Sequence, residues 1–94
     1  MTRDELRATL LRCLSRIAPE VDVDSIAPAV RLRDQVDLDS VDWLNFLVAV
    51  HAELGVDIPD ADAARLPTLD SLLDYCSARL DVPRGTQRMR GLLQ

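Results

Sequence analysis

Asp37-Leu38-Asp39-Ser40-Val41-Asp42-Trp43-Leu44 opens the most apolar helical run of the chain, and the fold is read outward from it. Neither Gly nor Pro occurs from Val41 to Leu54, so a helix of about four turns is allowed. At roughly 100° per residue the side chains sort into three faces. Trp43, Phe46, Leu47, Val50 and Leu54 form a stripe that can build a core. Val41, Leu44 and Val48 form a second apolar patch, with Ala52 at its edge. Asp42, Asn45 and Glu53 share the third face with Ala49. Ser40 and His51 fall on the boundary between the first two.

A helix in so small a domain buries one stripe more readily than two. The second patch, flanked by carboxylates at the helix start, therefore reads as a docking surface. The alternative is a central helix packed on both sides. Ser40 also has two local readings. In the first, Asp39 or Ser40 simply caps the helix by accepting a hydrogen bond from the first turn. In the second, Ser40 is an attachment point. A phosphate ester there would face unpaired backbone N–H groups and the positive end of the helix dipole.

The 94 residues make one domain. Aromatics are scarce, strand-type alternation is absent, and the expected fold is all-helical with an aliphatic core. The net charge of −5 is unevenly spread. Residues 34–81 hold eleven acids against Arg65 and Arg79, a net of −9, whereas residues 82–94 hold three arginines and no acid. An acidic body argues against nucleic acid and anionic membranes and favours protein partners with basic patches. Cys13 and Cys76 lack metal-site or disulfide spacing and each falls in a predicted helix, so buried free thiols are expected. Asp37, Asp39 and Asp42 lack the ligand count and Gly turn of a calcium loop, and no metal is expected. With no signal peptide and no membrane-spanning run, the expected location is cytoplasmic.

Thr2 and Glu5 have the spacing of a capping box, followed by Leu6, Leu10, Leu14 and Ile17 on one face with Cys13 beside them. A first helix is predicted over 3–18, stopped by Pro19. Residues 19–38 read as a long connection, broken by Pro19 and Pro28 and pinned by Val21, Ile26, Val30, Leu32 and Val36, with room for a short helical turn around 24–28. The second helix, about 40–54, ends at Gly55. A short third helix over 61–66 follows, with Asp60 as its cap and Pro67 as its end. The last helix, about 69–80, starts from Thr68 or Asp70. Its inner face is Leu69, Leu72, Leu73, Cys76 and Leu80, with Tyr75 at the border. Residues 1–81 form the domain and 82–94 an Arg-rich tail.

From about residue 4 to residue 80 the chain resembles an acyl carrier protein, the phosphopantetheine-binding helical domain. Asp39-Ser40-Val41-Asp42 is similar to that family's Asp-Ser-Leu-Asp attachment motif. At the expected distance, Leu54-Gly55-Val56-Asp57-Ile58-Pro59-Asp60 resembles its loop after the second helix. Leu66-Pro67-Thr68-Leu69 resembles the entry to its fourth helix, and Leu32 to Val36 the anchor of its long loop. The resemblance implies a small four-helix bundle with a long first loop and a short third helix. It also implies covalent 4′-phosphopantetheine on Ser40, placed there from coenzyme A by a phosphopantetheinyl transferase. Asp39 and Asp42 would help to present the serine, and Val41, Leu44, Val48 and His51 would meet partners. Those partners would be a loading ligase, acyl or aminoacyl, and a downstream acyltransferase or synthase. The chain itself would be a monomeric carrier, not an enzyme, since no nucleophile–base pair, phosphate loop or metal ligand set is present.

Asn45, His51 and Ala52 stand where fatty-acid carriers tend to have acids, Asp37 where Gly is common, and Trp43 where a small polar residue is common. The departure points to a specialised acyl carrier in place of a housekeeping one. An aminoacyl or peptidyl carrier, loaded by an adenylating ligase, is the first alternative. An unmodified helical docking adaptor is the second.

Overall fold

The computed structural model describes residues 2–80. Three long helices carry the bundle: α1 (Arg3–Ile17), α3 (Ser40–Leu54) and α5 (Leu69–Leu80). Two one-turn helices, α2 (Leu32–Gln35) and α4 (Asp60–Ala63), and a 3₁₀ turn at Val23–Ser25 punctuate the connections. The four-helix plan is present, with α2 added inside the long first connection. The proposed boundary at 81 and the Arg-rich tail over 82–94 lie outside the described residues. No helix among the described residues is long and apolar enough to cross a membrane.

α1 starts on the expected capping box: the Glu5 N–H donates to Thr2 Oγ1 at 3.1 Å, and the Thr2 N–H to Glu5 Oε1 at 2.7 Å. That second bond holds the Glu5 carboxyl below the usual range. Leu6, Leu10, Cys13 and Leu14 are fully buried and Ile17 partly so. They pack against Phe46, Leu47 and Val50 of α3 and Leu69, Leu72, Leu73 and Cys76 of α5 in one core cluster, so α1 lies on both other long helices. Burying each large aliphatic side chain contributes about 1.5–3 kcal/mol, so this cluster is what holds the bundle. Across its surface, Arg3 donates to Asp74 at 2.9 Å and to Ser77 at 3.3 Å, and Arg16 pairs with Glu53. Such partly exposed pairs contribute at most about 1 kcal/mol each. Both cysteines are free and buried, and burial pushes the Cys76 thiol up to about 11.

The first connection is more ordered than its prolines suggest. Its helical turn falls at Val23–Ser25, where Asp22 accepts from the Asp24 N–H and the Ser25 hydroxyl. α2 was not expected, because one turn is too short to show a helical period. Gln35 explains much of the order: its Oε1 accepts from the Ala27 N–H at 2.7 Å, and its Nε2 donates to the carbonyls of Ala27 and Val30, both at 2.9 Å. Ile26, Leu32 and Val36 are buried as expected, and Leu38 joins them. Val30, expected as a pin, is 45% exposed. Its carbonyl, not its side chain, is what this segment anchors. The Leu32 N–H donates to Pro67 O at 2.8 Å and the Asp70 N–H to Pro28 O at 3.0 Å, which ties the connection to the start of α5.

α3 ends at Gly55, whose φ of 70° is left-handed and suits a residue without Cβ. In α4 the expected cap is displaced: Pro59 occupies the cap position and its carbonyl accepts from the N–H groups of Asp62 and Ala63. Asp60 is thus the first helical residue, where its charge still suits the dipole. The helix stops at Ala63, short of the expected 66. Thr68, not Asp70, starts α5, with its Oγ1 accepting from the Ser71 N–H at 3.0 Å.

α4 is fastened to α5 by a polar cluster. The Tyr75 hydroxyl donates to Asp62 Oδ2 at 2.7 Å, and Arg65 donates to Asp62 Oδ1 at 2.7 Å. Arg79 donates to the Tyr75 oxygen at 2.6 Å while its guanidinium lies 4.4 Å from the ring centroid. The Tyr75 hydrogen bond, then the one from Arg65, hold the Asp62 carboxyl below the usual range. A lowered carboxyl contributes stability above its unfolded pKa and loses that contribution as pH falls through the folded value. Tyr75→Phe is therefore expected to raise the Asp62 pKa and to flatten the acid limb of stability below about pH 4. Carboxyl NMR titration of both proteins checks it.

Candidate functional site

The start of α3 settles which residue is the cap. Asp39 sits at the cap position with extended backbone, and its Oδ1 accepts from the Asp42 N–H at 2.8 Å. In return the Asp39 N–H donates to Asp42 Oδ2 at 3.4 Å. The two carboxylates close a reciprocal capping box around Ser40 and Val41. Ser40 is the first helical residue and is exposed, and its hydroxyl makes no hydrogen bond among the described residues. Capping and attachment are thus not competing readings, because Asp39 does the first and leaves Ser40 free for the second. Asp39→Ala is expected to cost about 1 kcal/mol, seen as a lower urea midpoint with unchanged slope.

The core stripe and the apolar patch of α3 lie where their periodicity places them, while Ala49, expected on the third face, packs partly against the core. Phe46, Leu47 and Val50 are buried, while Trp43 and Leu54 are partly buried against the same core. Trp43 also stacks, tilted, on Phe46 with ring centroids 5.5 Å apart. Val41, Leu44 and Val48 are 64%, 52% and 60% exposed, so the second patch is left to solvent. His51 is exposed on the next turn. Leu44, Leu47, Val48 and His51 form one wall of an open groove of about 440 Å³, and Asp57, Ile58, Pro59 and Asp60 form the other. That second wall was missed as a site: the Val56-Asp57-Ile58 alternation signals burial of Val56 and Ile58, and only the tertiary approach to α3 turns their neighbours into a groove.

An O-linked phosphodiester suits this position. The hydroxyl is exposed, the helix presents its positive end, and the Asp42 N–H is already satisfied by Asp39, so a substituent displaces no bond. Among the described residues no group of three or more His, Cys, Asp or Glu is placed to hold a metal ion.

A family model described as "Phosphopantetheine attachment site" matches residues 8–76. The acyl carrier protein of Thermosynechococcus vestitus is 30% identical over 60 residues, which cover 64% of this chain and 74% of that protein. The chain belongs to the acyl carrier protein family. The acyl carrier protein of Lactobacillus acidophilus is 34% identical over 56 residues, 60% of this chain and 70% of that protein. The solved structure of the acyl carrier protein from Enterococcus faecalis superposes with a TM-score of 0.64 at 25% identity, over 83% of this chain and 98% of that one. This acyl carrier protein accordingly bears a covalently attached 4′-phosphopantetheine and acts as a carrier, not an enzyme. Membership implies work with a phosphopantetheinyl transferase and with synthase or acyltransferase enzymes.

Proposed function

We propose that Ser40 bears the phosphopantetheine arm, and that this carrier serves a specialised pathway with dedicated partners. The free Ser40 hydroxyl inside the Asp39–Asp42 capping box carries the first part. When bound, the arm supplies a terminal thiol on which a cargo rides as a thioester. The chain's own residues do the rest. Asp39 and Asp42 hold the first turn, so the hydroxyl is offered at a fixed place. The buried Phe46, Leu47 and Val50 fix the helix axis behind it. Val41, Leu44 and Val48 leave an apolar strip beside it for partner enzymes, with His51 on the groove wall.

The specialised reading rests on that strip. A recognition helix whose exposed face is Val41, Leu44, Asn45, Val48, His51 and Ala52 offers partners apolar contact more than charge. Enzymes that dock on acidic carriers by basic patches gain little from it. A loading ligase is expected to lose about tenfold or more in kcat/KM with the Leu44→Glu/Val48→Glu protein, since docking on that strip would bury two carboxylates without partners. The melting temperature is expected to hold, because both side chains are exposed. Offering acyl and aminoacyl substrates with their ligases, and weighing the product, distinguishes an acyl carrier from the aminoacyl or peptidyl alternative.

A further inference from the structure

Large hydrophobic side chains are left to solvent mainly on one helix. Of those exposed among the described residues, Val41, Leu44 and Val48 share one strip of α3, and only Val30 lies elsewhere in the chain. Leu44 and Val48 line the open groove, and across it Ile58 and Pro59 stand between Asp57 and Asp60. The ion pairs among the described residues take up Asp62, Asp74 and Glu53, and neither Asp57 nor Asp60. Two other concave surfaces differ in charge. The one between α1 and the 3₁₀ turn sets Arg7 and Arg12 against Asp4 and Asp24. The one beside Trp43 carries Arg31 and Arg33 and no acid. Among these three, only the α3 groove joins apolar walls to carboxylates with no arginine. It suits an occupant that brings cationic and apolar side chains together.

A segment of that chemistry follows α5 in the same chain. Residues 82–94 hold Arg84, Arg88 and Arg90 and no acid, with Met89, Leu92 and Leu93 among them. α5 ends at Leu80. From there to Leu92 the chain can span up to about 40 Å when extended. A body of this size is roughly 30 Å across, so the groove is within reach. Tethering also raises the effective concentration to about millimolar, so a weak contact suffices. The recess with Arg31 and Arg33 repels the same segment, and in the one on α1 the acids are already offset by Arg7 and Arg12.

We propose that residues 84–93 of the same chain seat on the groove between α3 and the 57–60 segment. Met89, Leu92 and Leu93 cover Leu44 and Val48, and the guanidiniums of Arg84, Arg88 and Arg90 face Asp57 and Asp60. The seat needs neither an arm on Ser40 nor an enzyme. Where the strip serves partner enzymes, as proposed above, the segment is their competitor and must be displaced before they dock. Added salt weakens the seat, because exposed charges are screened.

The test uses the full, unmodified chain, so its result does not depend on whether Ser40 bears the arm. Gln94→Cys is labelled with a nitroxide. Cys13 and Cys76 are buried, so the new thiol is the one that reacts, and intact mass confirms a single label. NMR then reads the methyl signals of Leu44 and Val48. They are expected to lose most of their intensity to the spin label, while those of Ala8 and Leu11 on α1 keep theirs. The intensity is expected to return with added salt, and in the labelled Arg84→Glu/Arg88→Glu/Arg90→Glu protein. Isotope-labelled chains without nitroxide, mixed with nitroxide chains, are expected to show no loss. Full intensity at Leu44 and Val48 in the labelled chain overturns the proposal, as does a loss centred on α1. An equal loss in the mixed sample overturns it too, since the occupant is then a second copy.

Discussion

Ser40→Ala is expected to abolish phosphopantetheine attachment completely while leaving the fold intact. The loss is total because the hydroxyl oxygen is the atom the arm would be bonded to, and no neighbouring side chain replaces it. The fold is indifferent because the helix start does not use that hydroxyl. Asp39 and Asp42 bond each other's backbone N–H groups, and Ser40 is exposed in the first turn. Ala is also a good helix former, so stability should change by less than about 0.5 kcal/mol. Intact mass after incubation with coenzyme A and transferase reads the first effect, and thermal unfolding the second. An unmodified docking adaptor would instead keep its cellular function in this variant.

Phe46→Ala is expected to do the opposite, removing the platform while leaving the motif in place. Phe46 is the largest fully buried side chain, and it bears the tilted contact with Trp43. Its truncation is expected to cost about 3–5 kcal/mol, out of a total of roughly 5–15 kcal/mol for a domain of this kind. The melting temperature should fall by roughly 12 °C or more. Val48, two residues further along α3 and 60% exposed, should tolerate the same truncation within about 0.5 kcal/mol. The pair separates the two faces of one helix by their effects. Thermal unfolding of both variants by circular dichroism checks it, and equal losses would contradict the assignment of faces.

Those two faces were legible in the sequence because fifteen residues are enough for a helical period to declare itself. The Thr2–Glu5 box and Gly55 marked helix ends for the same kind of reason: each uses a residue type whose chemistry is local. What escaped notice depends on contacts at a distance. α2 is too short to show a period, and nothing near Gln35 reveals that its amide gathers three backbone groups of residues 27–30. The spacing puts Tyr75 at the border of α5, yet its bond to Asp62 needs the fold of the 56–68 segment. The site itself was half legible. The motif named Asp39, Ser40 and Asp42, but Asp and Ser are comparable caps, so only the geometry assigns the cap to Asp39 and frees its neighbour.

The central claim is most directly met by one measurement. The purified full-length chain is incubated with coenzyme A and a phosphopantetheinyl transferase, then digested, and its peptides are sequenced by tandem mass spectrometry. A single arm on the peptide containing Ser40, with fragment ions placing it on that serine, is the predicted result. An unmodified chain beside a reference carrier that the same enzyme modifies would contradict the account, as would an arm on Ser15, Ser25, Ser71 or Ser77.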